Sequence, residues 1–497
     1  MLTAPRPRTV LGPGMGLPAF SVSCLVAGAM AVLAPVLIGG LLAVGGALMR
    51  GQHLYRDLLF ALVAGSMLLT YGFANVGFSF GPLPVPVTEL LLLPLVAWSL
   101  LQAKSLRSIG LPLLLVALFV GLASLRLIAD FPSHGKLAIR DFTLPLEALT
   151  LLVGFWALNT YGLRWACRLL LAVLIMVAAY GALMPWRETV AGMGPTVGLQ
   201  QPVQLLGQFD SLGPALAAAL FFFLLMVKSP WSIILGALCL GELALLQMRG
   251  LYLGVPLAAL VVLIASNRVS TRLPGRLAGA VAVAAILLVL VAPMIPSGRL
   301  GPVNAAFAVS QLETLLGKEG PGDGSYEKRQ QWLERTWERQ RESPETLLLG
   351  LGLGVDLASG FAANDLVDVR KPHNDHLEIF ARMGAAGFSI WVGLLASVII
   401  PVWRTVRSDR PTLQERHFLI CALGLFTIYL FTATTQPVLA FPQGSIPLFL
   451  VMGMSLAVVR GLDSQPDVSP AAAWTARAFG SQGGAGTPAS ALGSQGG

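Results

Sequence analysis

The chain has 497 residues, of which 55% are hydrophobic and 12% are charged, and its mean hydropathy is +0.74. This composition excludes a water-soluble globule, an intrinsically disordered chain and a collagen. The four cysteines all lie in apolar runs, which excludes a disulfide framework and a CxxC metal site. The formal charge of +8 does not by itself indicate nucleic acid, because the placement of the cations decides their meaning.

Apolar runs of transmembrane length follow one another along most of the chain. Because about 20 apolar residues cross the hydrocarbon core, the sequence predicts an all-α polytopic membrane protein with about 12–14 transmembrane helices. The first run can form a hairpin at Pro35 and Gly39, which favours 14 crossings over 13. The thirteen runs are 20–48, 55–74, 83–102, 109–128, 143–160, 165–184, 211–227, 231–247, 250–266, 277–295, 385–403, 417–435 and 444–460.

Lys and Arg are distributed unequally between the two sets of alternate connections. One set holds sixteen of them, including Arg50, Arg164 and Arg276, whereas the opposite short connections hold five, including Arg126 and Arg187. Because short basic loops are retained in the cytoplasm, the richer set is predicted to be cytoplasmic.

The same alternation divides the chain into five parts. Residues 1–19 form a cytoplasmic N-terminal segment, 20–295 and 385–460 contain transmembrane helices, and 461–497 form a Gly-, Ala- and Ser-rich, disordered cytoplasmic tail. Residues 296–384 lie between the tenth and eleventh runs and hold 10 Lys/Arg and 13 Asp/Glu, so we expect a large extracytoplasmic loop domain there.

The loop domain contains a predicted helix and a predicted glycine loop. Residues 325–343 have a helix-forming composition and are followed by Pro344, which ends the run. Residues 349–354 are too rich in glycine to remain helical.

The densest polar cluster, residues 370–378, lies just before the eleventh run. His373 can accept a proton from a hydroxyl near neutral pH, and Asn374 can orient it or a sugar. The cluster is equally compatible with a polar interfacial loop. The HxxH spacing of His373 and His376 also permits a metal site, but that signal alone is weak.

Two arginines and a tryptophan are further candidates. Arg249 lies between two apolar runs, where it needs an anionic partner. The structural interpretation is an ion pair with Glu242, which lies two helical turns earlier. The functional interpretation is that Arg249 binds a lipid phosphate. Arg329 and Trp332 lie one turn apart on the predicted outer helix. They suit a glycosyl phosphate, although such pairs more often only pack and solvate.

Taken in order, these motifs resemble the O-antigen ligase and polymerase superfamily of bacterial envelope glycosyltransferases. The chain departs from the family pattern at Met248, where a serine is usual, and at Arg382, where an acid is common. An upstream segment usually containing asparagines is matched only loosely by residues 207–213. The matching elements are Met248–Gly250, Arg329, Trp332, Pro344, the glycines of 350–354, His373–Leu377 and Gly384–Gly387.

The resemblance implies an inverting, metal-independent, GT-C-like glycosyltransferase in the bacterial inner membrane, with its site facing the periplasm and no cofactor. The implied donor is a glycan on undecaprenyl pyrophosphate, and the acceptor is lipid A-core or a second lipid-linked glycan. His373 would be the general base, and Arg249 and Arg329 would bind pyrophosphate. Trp332, Asn374 and His376 would position the sugar or acceptor.

Three alternatives stay open at this stage. The motifs do not separate a ligase from an O-antigen or exopolysaccharide polymerase, or from an enzyme that glycosylates protein hydroxyls. A multi-pass transporter or flippase of lipid-linked or other small substrates is the rival from another class. The lack of repetition between the two halves of the chain argues against it.

Overall fold

A computed structural model of the chain describes residues 52–80, 83–102, 109–199, 202–266, 272–291, 298–299, 306, 309–310, 313, 324–358, 362–364, 367–368 and 370–463. Within these ranges the side chains at 52, 79–80, 83–84, 291, 324–329, 362–364 and 367–368 are not described. The predicted first run at 20–48 and the predicted disordered tail at 461–497 lie outside the described residues, except for the last helical turn of the final helix.

The described part of the chain is all-α with three short antiparallel hairpins. Each hairpin pairs two consecutive strands, β1 with β2, β3 with β4 and β5 with β6. The elements are α1 Gln52–Ala74, β1 Gly77–Phe80, β2 Leu83–Pro86, α2 Val87–Leu101, α3 Leu111–His134, α4 Lys136–Glu147, α5 Thr150–Gly181, α6 Arg187–Met193, β3 Thr196–Val197, β4 Val203–Gln204, α7 Gly213–Met226, α8 Trp231–Leu246, α9 Arg249–Ser266, α10 Leu273–Val291, α11 Gly324–Gln340, α12 Pro344–Leu349, β5 Ala362–Asn364, β6 Val367–Asp368, α13 Asp375–Arg407, α14 Leu413–Thr432 and α15 Pro442–Asp463.

The helices have the length and composition of a polytopic membrane protein. Within the described ranges, eight helical stretches are long and apolar enough to cross a bilayer, and α2, α7 and α8 are shorter apolar helices. Twelve of the thirteen predicted apolar runs coincide with these helices. The runs 143–160 and 165–184 fall on α4 and α5, and α5 is interrupted at Gly162, whose φ of 79° is not helical.

The centre of the bundle depends on a close approach between α5 and α15. A Cβ atom added to Gly453 would lie 1.9 Å from the Leu151 carbonyl oxygen, and one added to Gly154 would lie 2.1 Å from the Leu450 carbonyl oxygen. Only glycine leaves room for these backbones to touch. Small residues at helix contacts are what membrane bundles use, because lipid tails give no hydrophobic drive for helix association.

The bundle has two chemically different ends. Tyr71 near the end of α1 packs edge-on against Phe441 at the start of α15, with ring centroids 5.0 Å apart. Arg56 and Arg460, at the other ends of these two helices, therefore lie at the opposite end of the bundle. We call the end with Tyr71 and Phe441 the site end. The sidedness of the loops stays a prediction.

The outer segment differs in detail from its predicted form. The helix predicted over 325–343 ends at Gln340, because Ser343 caps α12 through a reciprocal capping box with Thr346. The predicted glycine loop is present, but α12, which was not predicted, lies between it and α11. α13 begins at Asp375, ten residues before the predicted boundary at 385, and is interrupted at Gly384, where φ is 64°.

Candidate functional site

His373 lies in the tight turn that leads into α13, at the site end. Its φ of 55° is uncommon for a residue with a side chain and costs free energy, which neighbouring contacts must offset. Asn374 ends the turn as the N-cap of α13: its Oδ1 accepts a hydrogen bond from the Leu377 amide at 3.0 Å. The predicted polar loop is therefore an ordered helix start.

The imidazole of His373 is fixed by two contacts. Its Nδ1 lies 3.1 Å from the Lys371 carbonyl oxygen, which can only accept, so Nδ1 carries the proton and Nε2 is the basic nitrogen of the neutral ring. The ring stacks on Trp332 of α11, with centroids 5.2 Å apart and planes 30° apart. Trp332 is only 5% exposed. The outer helix thus supports the histidine directly.

Both ring nitrogens of His376 are engaged inside the bundle. Nε2 contacts the Leu430 carbonyl oxygen at 3.1 Å, and Nδ1 accepts a hydrogen bond from Trp391 Nε1 at 3.2 Å. Trp391 is fully buried. These contacts give His376 a packing role and leave it unable to join His373 in the metal site that the HxxH spacing allowed.

Arg249 begins α9 at the same end of the bundle as His373. The adjacent Gly250 packs against Thr435, since an added Cβ would lie 2.6 Å from the threonine Oγ1. The amide of Asp375 donates to the Ala433 carbonyl oxygen at 2.8 Å. The turn after α14 therefore lies between the start of α9 and the turn that carries His373.

The ion pair expected between Arg249 and Glu242 does not form. Both carboxylate oxygens of Glu242 are buried and lack a hydrogen-bond partner among the described residues. The Glu242 side chain lies instead against Gly181, because the left-handed turn at Gln247 carries Glu242 and Arg249 away from a common helix face. For Arg329, the other predicted phosphate ligand, only the backbone in α11 is described, and its side chain lies outside the described part.

A buried network of ion pairs lies beside the histidine turn and was not predicted. Asp141 of α4 pairs through Oδ2 with Arg370 at 2.5 Å and with Arg382 at 2.6 Å. Glu378 pairs with Arg382 at 2.8 Å and with Lys371 at 3.1 Å. Burial lowers the pKa of Arg370, and the charge of Asp141 opposes that shift. The spacing of Glu378 and Arg382, four residues apart on a helix, was the one local signal of this network.

Asp141 of this network and the nearby Asp130 hold the glycine loop against α3 and α4. The amide of Leu353 donates to Asp130 at 2.7 Å, and the amide of Gly354 donates to Asp141 at 2.8 Å. Gly354 has φ of 87°, and a Cβ there would lie 2.3 Å from the His134 Cβ. Asp130 also pairs with Arg126 at 3.5 Å, and Arg126 donates a hydrogen bond to the Gly350 carbonyl oxygen at 3.3 Å.

Two cavities open beside this network at the site end. One of about 20 Å³ is lined by Asp141, Lys371 and Glu378 among others, and another of about 30 Å³ is lined by Glu89 and Glu147 among others. Arg140, Thr143 and Ala440 line both cavities, so the two spaces adjoin. The first cavity reaches the turn that carries His373, because Lys371 and Asp375 line it.

Comparison with known proteins adds no function to this geometry. No protein-family model matches the sequence, and no curated protein matches it. What the site does must therefore follow from its own residues.

Proposed function

We propose that the chain is an inverting envelope glycosyltransferase of the O-antigen ligase or polymerase type. It would move a glycan from undecaprenyl pyrophosphate to a hydroxyl acceptor, either lipid A-core or a second lipid-linked glycan. The proposal places 12–14 helices in the bacterial inner membrane, with the site end facing the periplasm. A polyprenyl donor needs this arrangement, because its tail requires the bilayer while its pyrophosphate requires polar contacts at the interface.

One observation carries the proposal: Trp332 stacks on His373 at 5.2 Å, although 41 residues separate them in the chain. Two motifs of the resemblance, one on the outer helix and one before α13, thus meet at the same bundle end as Arg249. A stacked, half-buried imidazole whose Nδ1 faces a carbonyl is oriented for proton transfer through Nε2.

The reaction follows from these groups. Nε2 of His373 removes the proton of the acceptor hydroxyl, and the resulting oxygen nucleophile attacks the anomeric carbon of the donor sugar. The bond from that carbon to the pyrophosphate oxygen breaks as the new glycosidic bond forms, so the anomeric configuration inverts. Undecaprenyl pyrophosphate leaves with the bonding electrons, and its growing negative charge requires cations.

Arg249 and Arg329 are the proposed cations. A guanidinium binds two phosphate oxygens at once, which an ammonium cannot reproduce. The contacts of Trp332 and Asn374 favour a role in positioning His373, one by stacking and one by capping the helix that follows. His376 supports the same helix from inside the bundle, through Trp391.

The test is mass spectrometry of the lipid-linked glycans that accumulate in a strain from which the gene has been deleted. Single repeat units on the lipid indicate a lost polymerase, and full-length chains indicate a lost ligase. Complementation with the wild-type gene should clear either species, whereas complementation with H373A should not. Unchanged lipid-linked glycans in the deletion strain would contradict the proposal and favour a transporter or flippase.

A further inference from the structure

Lys371 lies two residues before His373 and is held by a buried ion pair. Its Nζ lies 3.1 Å from Oε1 of Glu378, which belongs to the first turn of α13. Lys371 is 8% exposed and Glu378 is 6% exposed. The ion pair therefore closes across the turn that carries His373, with one partner before the turn and the other on the helix after it. Neither partner belongs to the motifs that carry the resemblance.

The backbone carbonyl of Lys371 is the group that orients the imidazole. Nδ1 of His373 lies 3.1 Å from this oxygen. Only Pro372 separates the two residues; its ring fixes its own φ, and its Cδ keeps Lys371 in the extended region. The carbonyl and the imidazole therefore have few conformations relative to each other. Whatever holds Lys371 in place also holds this hydrogen bond.

Other contacts hold the chain on either side of this peptide. The Arg370 carbonyl oxygen accepts a hydrogen bond from the Leu357 amide at 3.1 Å, and Asn374 caps α13. The acceptor carbonyl lies between these two anchors, and the ion pair of Lys371 restrains it there. Because the φ of 55° at His373 costs free energy, the turn should relax when a contact that holds it is removed.

Glu378 has a second cationic partner, which makes the role of Lys371 testable. Oε1 of Glu378 also accepts a hydrogen bond from Arg382 Nε at 2.8 Å. Removal of the Lys371 ammonium therefore leaves the buried carboxylate with a compensating charge. Because the large cost of breaking a buried ion pair comes from an uncompensated charge, a neutral residue at position 371 should change the turn without unfolding the chain.

We propose that Lys371 is a positioning residue for His373: its ion pair with Glu378 holds the Lys371 carbonyl oxygen against Nδ1, so that the proton stays on Nδ1 and Nε2 stays basic. The inference rests on the proposed function and names a further residue for the same site. Without this hydrogen bond the neutral imidazole would also populate the tautomer with its proton on Nε2, which cannot remove a proton from an acceptor hydroxyl. Lys371 thus acts through the imidazole and not on the substrate.

The test combines nitrogen-15 NMR of the histidine-labelled full chain in proteoliposomes, above the ordinary histidine pKa, with the kinetics of glycan transfer. The His373 signals are those lost in H373A, and the wild type should show a protonated Nδ1 and a basic Nε2. K371M should shift the tautomer ratio toward Nε2–H by roughly two- to tenfold, the worth of one hydrogen bond, and should lower kcat by a similar factor with KM for the donor unchanged. K371R keeps a cation and should keep the tautomer, and K136M, at an exposed lysine of α4, is the matched control.

A double variant separates positioning from a direct role. In the H373A background K371M should not lower the residual transfer further, because Lys371 acts through the imidazole. A wild-type tautomer ratio in K371M, an unchanged kcat, or a further loss in the double variant would overturn the positioning role, and transfer by the wild type would then still support the proposed function. A shifted tautomer in K371M together with no transfer by the wild type would overturn the proposed function, while the hold of Lys371 on the imidazole would stand.

Discussion

Replacing Asp141 with Asn removes the acidic partner of Arg370, whereas Arg382 keeps its ion pair with Glu378 at 2.8 Å. The side chain of Asp141 is 0% exposed, and those of Arg370 and Arg382 are 15% and 3% exposed. Loss of one partner from a buried ion pair costs about 3–5 kcal/mol, because the remaining charge is left without compensation. The glycine loop should bear the cost, since the Gly354 amide donates to the same oxygen.

The assay is hydrogen exchange of peptides that span residues 350–356 in the purified protein. A loss of about 3–5 kcal/mol corresponds to a fall in protection of roughly 150- to 5,000-fold for amides that exchange by local opening. D130N is the matched control, because Asp130 holds the neighbouring amide of Leu353 but forms a single, longer ion pair with Arg126 at 3.5 Å, so its loss should cost less than the loss of Asp141. Equal protection in D141N and D130N would refute the assignment of Asp141 as the buried anchor.

Three other outcomes follow from the same contacts. G453A should destabilise the bundle by about 1–3 kcal/mol or more, because its Cβ would meet the Leu151 carbonyl at 1.9 Å. G241A is the control, because a Cβ at Gly241 meets open space. Equal thermal midpoints of the two variants in detergent would contradict the close helix contact. R249K should lower the rate of glycan transfer at least tenfold, while R341K, at an exposed site, should leave it unchanged. Wild-type turnover by R249K would contradict the binding of pyrophosphate by Arg249. EDTA should leave transfer intact, and activity lost to EDTA and restored by one divalent metal would revive the metal hypothesis.

The helical architecture was predictable because it depends on local composition. Twelve apolar runs coincide with helices, and the glycine loop after α12 was recognised from the spacing of its glycines. The ends of the helices were less predictable, since they depend on the side chains that cap each helix. The sequence did not reveal that Ser343 starts a new helix or that Asn374 starts α13, so the polar cluster was interpreted as a loop.

The surroundings of the site were not predictable, because they join residues far apart in the chain. Asp141 lies 229 residues from Arg370, and no spacing rule connects them. Arg382 stood out only as a departure from the family pattern, yet it pairs with both Asp141 and Glu378.

The most direct test of the central claim is glycan transfer by purified H373A in proteoliposomes that contain lipid-linked glycan and acceptor. The account predicts loss of transfer by a factor of about 10²–10⁴, the contribution typical of a general base, with normal folding and insertion. H53A, an exposed histidine on α1, should turn over as the wild type does. Transfer by H373A at the wild-type rate would contradict the claim that this imidazole activates the acceptor.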